Sequence, residues 1–184
     1  MATSRLPDVI ETERFDLIWL DADTLRSFGE RSADLLPPPH GWVNAHRHFL
    51  DDEAWIPPHF ARRLDDDPSH ATWTIRAIIE RSSSLIVGHI GAHRCPDPQG
   101  VVEVGYTVAA ARRREHIAQE SLTGLLDAMA HAGSVSVVTL CISPSNEASI
   151  GLARSLGFSF VGEVAGDEEA PELRFDRQLD AHHC

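Results

Sequence analysis

The succession of two kinds of hydrophobic periodicity restricts the fold of this 184-residue chain more than any other feature. Three runs typical of β-strands follow each other in mid-sequence, Thr72–Glu80, Ser84–Ala92 and Val101–Val108, with short polar turns between them. The second half then alternates segments of helical and strand periodicity. An antiparallel meander followed by such an alternation predicts an α/β (α+β) domain, in which helices flank a mixed, mostly antiparallel twisted sheet.

The segments around this meander complete the predicted order. Upstream, a strand in Thr12–Leu20 leads into a short helix near Asp23, and the irregular segment Leu35–His70 leaves room for a helix around His59–Leu64. Downstream, the predicted elements are a helix Ile117–Ala132 ended by Gly133, a strand Val135–Ile142, a helix opened by Pro144–Asn146 and ended by Gly157, and two strands, Phe158–Val164 and Glu172–Leu179. We expect a sheet of about six or seven strands and one domain over residues 1–184.

The charge balance argues against several partners. Asp and Glu number 28 against 16 basic residues, all arginine, so the formal charge is −12. This charge would repel nucleic-acid phosphate and anionic lipid, and no apolar run is long enough for a membrane span. Because Met1–Glu11 also lacks the order of a signal peptide, we expect a cytoplasmic protein.

Cysteines and histidines give no metal signature. Cys95, Cys141 and Cys184 lie far apart, are odd in number and show no Cys-x-x-Cys spacing, so free thiols are expected. His46 and His48 are close in sequence but have no partner set beside them, and no metal is expected.

Two segments of the second half together resemble a known family. Residues 102–120, VEVGYTVAAARRREHIAQE, resemble the strand, loop and helix that bind acetyl-CoA in GNAT-type N-acetyltransferases. Residues 145–163, SNEASIGLARSLGFSFVGE, resemble the second signature of that superfamily, an Asn-x-x-Ser helix ending in Leu-Gly-Phe. Both resemble the branch that includes the Rim-type acetyltransferases of ribosomal protein N-termini. The resemblance implies acetyl-CoA as acyl donor and an amine as acceptor, and it leaves a homodimer open because the last strands of this fold often pair between subunits.

The first signature carries the phosphate-binding loop. By the resemblance, the pattern Arg/Gln-x-x-Gly-x-Gly/Ala falls on six residues whose backbone amides would cradle the pyrophosphate: Arg113, Arg114, Glu115, His116, Ile117 and Ala118. A helix N-terminus suits this ligand, because its N–H groups are unpaired and the helix dipole is positive there. His116 replaces the central glycine, and Arg114 stands where a further glycine is common.

Three interpretations of this loop stay open. The basic side chains add contacts to phosphate while the backbone still cradles it, the loop accepts CoA more weakly or in another pose, or it no longer binds CoA. Taken alone, Arg112–Arg114 would be a solvated basic turn. Three arginines at a helix N-terminus oppose the preference of the helix dipole, however, and an anionic ligand would relieve that conflict.

The second signature contributes Asn146 and Ser149. By the resemblance, Asn146 contacts the pantetheine arm or the catalytic region, and Ser149 lies near the CoA sulfur, where a hydroxyl could protonate the leaving thiolate. A helix N-cap and an ordinary helix serine are the alternatives. The tyrosine acid of many relatives is not available, since Ala153 occupies its position.

Acetyl transfer also needs a donor to the thioester carbonyl and a base. By the resemblance, the donor is a backbone N–H in the stretch Tyr106, Thr107 and Val108. Glu103 is the best base candidate, because strand alternation places it on the face opposite Tyr106, although a solvent-facing glutamate is an equal alternative.

Three further residues are weaker candidates. His89 and His93 share one strand and could serve as bases, but a pair of solvated histidines is favoured. Cys141 stands where some relatives carry a glutamate, but a cysteine in an apolar strand is more often a core residue.

The sequence thus predicts acetyl-CoA-dependent N-acetylation of a primary amine, a protein N-terminus or a small molecule, by direct attack on the thioester. The alternative is a catalytically inactive GNAT-like binding or regulatory domain, with a phosphate loop impaired by Arg114 and His116.

Overall fold

The computed structural model describes residues 5–30, 41–51, 53–166 and 170–180. These ranges hold eight strands and four helices. The strands are β1 Val9–Glu11, β2 Phe15–Trp19, β3 Ile75–Glu80, β4 Leu85–Ala92, β5 Val101–Val108, β6 Val137–Ile142, β7 Ser159–Ala165 and β8 Pro171–Gln178. The helices are α1 Ala22–Glu30, α2 Ile56–Asp66, α3 Ile117–Ala132 and α4 Glu147–Ser155. Cys184 and residues 35–40 of the irregular segment lie outside the described residues.

All eight strands join one sheet in the order β1-β2-β3-β4-β5-β6-β8-β7. Every neighbouring pair is antiparallel except β5 and β6, which are parallel. The bounds predicted for α3 and β5 are confirmed, whereas the predicted count of six or seven strands was wrong. The missed strand is β1, which has three residues with only Ile10 buried and therefore shows too little alternation to be recognised.

The sheet splits between its two parallel strands. β5 pairs with β6 only through Val101–Glu103, while its remaining residues pair with β4. Two backbone hydrogen bonds show which groups of β5 face β4. Ala109 N–H, directly after β5, donates to the Val87 carbonyl oxygen of β4, and the Glu103 carbonyl oxygen of β5 accepts from His93 N–H, directly after β4. Because backbone groups alternate along a strand, the N–H groups of Tyr106 and Val108 point the other way, into the split.

Helices cover the two faces of the sheet unequally. α3 and α4 pack against one face through apolar residues such as Leu122, Met129 and Ala153. α1 and α2 pack against the other face over β3 and β4. On that second face, β5, β6 and β8 carry mainly polar side chains, namely Glu103, Thr139, Cys141, Arg174 and Asp176. No helix in the described ranges is long and apolar enough to cross a membrane.

Candidate active site

The loop between β5 and α3 has the backbone of a glycine loop without the glycines. Arg114 has φ 69° and His116 has φ 60°, both in the left-handed region. His116 stands at the central glycine of the family pattern, and Arg114 stands where a further glycine is common. A side chain in this conformation costs roughly 1–2 kcal/mol per residue, so the surrounding structure must hold it in place.

Ion pairs supply that support. The Arg112 guanidinium bonds to Glu80 at 2.7 Å and to Glu115 at 2.8 Å, and its side chain is only 17% exposed. The hydrogen bonds that Arg112 donates to Glu115 and Glu80 raise the pKa of Arg112. Arg14 adds a hydrogen bond to the carbonyl oxygen of Glu115 at 3.0 Å. Arg112 is therefore a half-buried support of the loop, and the interpretation of Arg112–Arg114 as a solvated basic turn was wrong for Arg112, while Arg113 and Arg114 are exposed.

The other basic groups of this loop point outward. Arg113 and Arg114 are exposed, and within the described residues no carboxylate forms an ion pair with either. His116 is the N-cap residue of α3 but makes no side-chain cap; its Nδ1 lies 3.0 Å from Gln119 Oε1. Ile117 is buried in the core, so that it and Ala118 can offer a ligand only their backbone amides. The loop thus combines helix N-terminal amides with two exposed guanidinium groups.

The loop between β6 and α4 is built differently. Asn146 caps α4, with its Oδ1 accepting a hydrogen bond from Ser149 N at 3.1 Å. The cap interpretation is therefore confirmed for this oxygen, while the pantetheine contact stays a prediction. Ser149 is the third residue of α4, and its hydroxyl lies near that of Tyr106.

The side chain of Tyr106 also lies at the split. From the sequence, only the backbone N–H of this residue was predicted to have a role. Burial raises the pKa of Tyr106, and the nearby Ser149 hydroxyl partly opposes that shift. The phenol oxygen is buried and has no hydrogen-bond partner among the described residues. A tyrosine hydroxyl thus lies beside Ser149, but it comes from β5, because Ala153 occupies the position of the usual tyrosine in α4. This side chain could have been found from the sequence, because strand alternation already placed Tyr106 on the face opposite Glu103.

Glu103 lies on the polar face of the sheet, as predicted. Its carboxylate is 3.3 Å from His93 Nδ1, and the hydrogen bond with His93 lowers the pKa of Glu103. The Cys141 thiol lies beside the same carboxylate, and burial, followed by the charges of Glu103 and Glu172, raises the pKa of Cys141 to about 12. Cys141 is therefore a protonated thiol on the polar face, and its placement in the core was wrong.

The two candidate histidines, His89 in β4 and His93 directly after it, have different surroundings. His93 is partly exposed, as expected. His89 is buried, with its Nδ1 2.7 Å from His48 Nε2, and burial lowers the pKa of His89 to about 3. The prediction of a solvated His89 was therefore wrong. Among the described residues, no three His, Cys, Asp or Glu side chains are placed to hold a metal ion.

A family model described as the acetyltransferase (GNAT) domain matches residues 19–159. Since this match spans most of the chain, the protein belongs to the GNAT acetyltransferase family, whose members use acetyl-CoA, and it falls in the acetyltransferase class of enzymes. No significant match is found among curated proteins.

Solved structures add relatives of the same fold. A GNAT-family acetyltransferase from Bordetella pertussis has 24% identity and a TM-score of 0.64, over 93% of this chain and 99% of the other. The acetyltransferase that modifies the N-terminal serine of ribosomal protein L7/L12 in Salmonella typhimurium has 15% identity and a TM-score of 0.67, over 94% and 99%. A ribosomal L7/L12 α-N-protein acetyltransferase in complex with coenzyme A gives 15% identity and 0.66, over 94% and 99%. At these identities the likeness shows the shared fold, and the expected Rim-type enzymes are among the neighbours.

Proposed function

We propose that this protein transfers the acetyl group of acetyl-CoA to a primary amine by direct attack on the thioester. The observation that carries the proposal is the left-handed backbone at Arg114 and His116. It supports a loop that still presents its amides to phosphate, and it tells against the inactive alternative, which required a disabled loop.

The donor would lie in the split, with its phosphates on the backbone amides of residues 113–118. The exposed guanidinium groups of Arg113 and Arg114 would add charge-assisted contacts. The backbone N–H groups that face the split, those of Tyr106 and Val108, are suited to hold the thioester carbonyl oxygen as negative charge develops on it; Thr107 between them points its N–H to β4.

Opposite sides of the split would handle the two proton transfers. On the polar face, the ionised Glu103 carboxylate would favour removal of a proton from the ammonium group of the acceptor. On the α4 side, the hydroxyls of Ser149 and Tyr106 stand where a leaving thiolate could be stabilised. Asn146 would contact the pantetheine arm through its amide nitrogen, since its oxygen caps the helix.

The acceptor is either a protein N-terminus or a small amine, and we place the reaction in the cytoplasm. Relatives named for modifying ribosomal proteins support the first choice. We further propose a homodimer through β7, which ends the sheet and exposes Phe160 and Val161 by 54% and 58%. Light scattering after gel filtration should then give twice the chain mass for the wild type and the monomer mass for Val161→Lys.

Calorimetric titration with acetyl-CoA and with CoA tests the donor site. Saturable micromolar binding is expected, followed by release of CoA thiol in the presence of amine acceptors. Glu103→Gln and Ser149→Ala should bind the donor with little change in Kd but turn over at least tenfold more slowly. Absence of heat and of thermal stabilisation at millimolar acetyl-CoA would sink the proposal.

A further inference from the structure

His93 and Glu103 form a cross-strand pair at the edge of the split. The backbone N–H of His93 donates to the carbonyl oxygen of Glu103 at 2.9 Å, so His93, the residue that follows β4, lies opposite Glu103 on β5. Their side chains emerge on the same polar face, and Nδ1 of the imidazole lies 3.3 Å from the carboxylate. The pair is partly exposed, with 45% of the His93 side chain and 40% of the Glu103 side chain accessible.

Gly105 makes room for the imidazole ring. A Cβ atom at residue 105 would lie 2.9 Å from His93 Nε2, which is closer than side-chain carbons approach other atoms. The ring therefore lies flat along β5, from Glu103 toward the end of the strand whose amides face the split. Nδ1 is at the carboxylate, and Nε2 lies over Gly105, one residue before the Tyr106 amide that faces the split.

This orientation fixes what the imidazole can do. A carboxylate only accepts hydrogen bonds, so the neutral ring donates Nδ1–H to Glu103 and keeps a lone pair on Nε2. The ionised carboxylate also stabilises the imidazolium that forms when Nε2 takes a proton. Glu103 alone is a weak base, because the hydrogen bond from His93 lowers its pKa.

We infer that His93 is the base that deprotonates the attacking amine and that Glu103 is a positioning residue acting through it. This inference rests on the proposed acetyl transfer and deepens it. His93 Nε2 takes one proton from the ammonium group and later releases it to solvent. The amine nitrogen then bonds to the thioester carbon, and the C–S bond breaks as the tetrahedral adduct collapses. A second proton, lost from the adduct nitrogen, ends on the thiolate, and the third stays on the amide.

The kinetic test compares His93→Ala, Glu103→Gln and the exposed control His131→Ala with the wild type. We expect kcat to fall about 100-fold or more for His93→Ala, with KM for acetyl-CoA changed by less than about threefold. Glu103→Gln should lose about tenfold, because a glutamine still places the ring but no longer stabilises its charge. Added imidazole should restore part of the activity of His93→Ala and none of that of Glu103→Gln. A His93→Ala enzyme within threefold of wild-type kcat overturns the inference.

A second measurement does not depend on catalysis. Nitrogen NMR of the side chains, at a pH where imidazoles are neutral, should show the His93 proton on Nδ1 in the wild type and a shift toward the Nε2–H form in Glu103→Gln. A wild-type proton on Nε2 overturns the inference, whatever the activity. If the Nδ1–H form is found but the wild type binds no acetyl-CoA, the proposed function fails instead.

Discussion

The loops that follow the two parallel strands solve the same problem by different means. Both carry the chain from a strand at the split into a helix N-terminus. After β6, Asn146 closes the turn with a side-chain cap and an ordinary backbone. After β5, two bulky residues adopt left-handed backbone, and ion pairs centred on Arg112 hold them. The comparison teaches that charges from distant elements can keep a conformation that glycine would adopt without support.

Removal of the ion-pair centre should have the largest effect. Arg112→Met leaves the Glu80 carboxylate partly buried without its partner, at a cost of about 1–3 kcal/mol in the free energy of unfolding. Acetyl-CoA affinity should fall at least tenfold, as calorimetry would show, because the loop loses its fixed backbone. The exposed Arg154→Met on α4 is the matched control and should change neither quantity. If both variants bind CoA equally well, the ion pairs of Arg112 are not needed to keep the phosphate loop in its binding conformation.

The cap of the second loop should matter less. Asn146→Ala removes the acceptor for Ser149 N and should lower the free energy of unfolding by about 1 kcal/mol in urea titrations. Asn146→Asp keeps an acceptor oxygen and should retain that stability. If Asp also binds acetyl-CoA as the wild type does, the amide nitrogen of Asn146 has no role in holding the donor.

Relief of backbone strain should give a smaller effect of opposite sign. His116→Gly should raise stability by up to about 1 kcal/mol, because glycine adopts φ 60° without a steric cost. Arg113→Gly, at φ −67°, is the matched control and should lower it. We expect tighter acetyl-CoA binding by His116→Gly in calorimetry; weaker binding would make the imidazole a phosphate ligand.

Acid should act on the first loop more than on the second. Hydrogen bonds from Arg112 lower the pKa of Glu80 and of Glu115, so their stabilisation is present above the unfolded pKa of 4.5 and is lost as pH falls below it. Hydrogen exchange should therefore show earlier loss of protection at residues 109–116 than at the start of α4. Burial lowers the pKa of His48 from 6.5 to about 4, so overall stability already falls as pH drops from 6.5 to about 4, and the ratio between the loops is the quantity to compare. Glu115→Gln should reduce the difference; an unchanged ratio in that variant would contradict this account.

Local periodicity sufficed for the elements, but not for the contacts that make the site. The bounds of α3 and β5 followed from apolar spacing, and the alternation along β5 placed Glu103 on the correct face. The support of the phosphate loop could not be predicted, because Glu80 lies 32 residues before Arg112. The pairing of His93 with Glu103 likewise depends on the register of β4 and β5, which hydrophobic patterns leave open.

The state of Cys141 bears on where the acetyl group ends. A thiolate near a thioester can attack its carbonyl carbon and take up the acyl group as a protein thioester, in competition with the amine. With a pKa raised to about 12 by burial, the Cys141 thiol stays protonated at neutral pH and is a poor competitor for the amine. The neighbouring Glu103 carboxylate thus favours acetylation of the amine over acetylation of Cys141, because its charge also opposes ionisation of the sulfur.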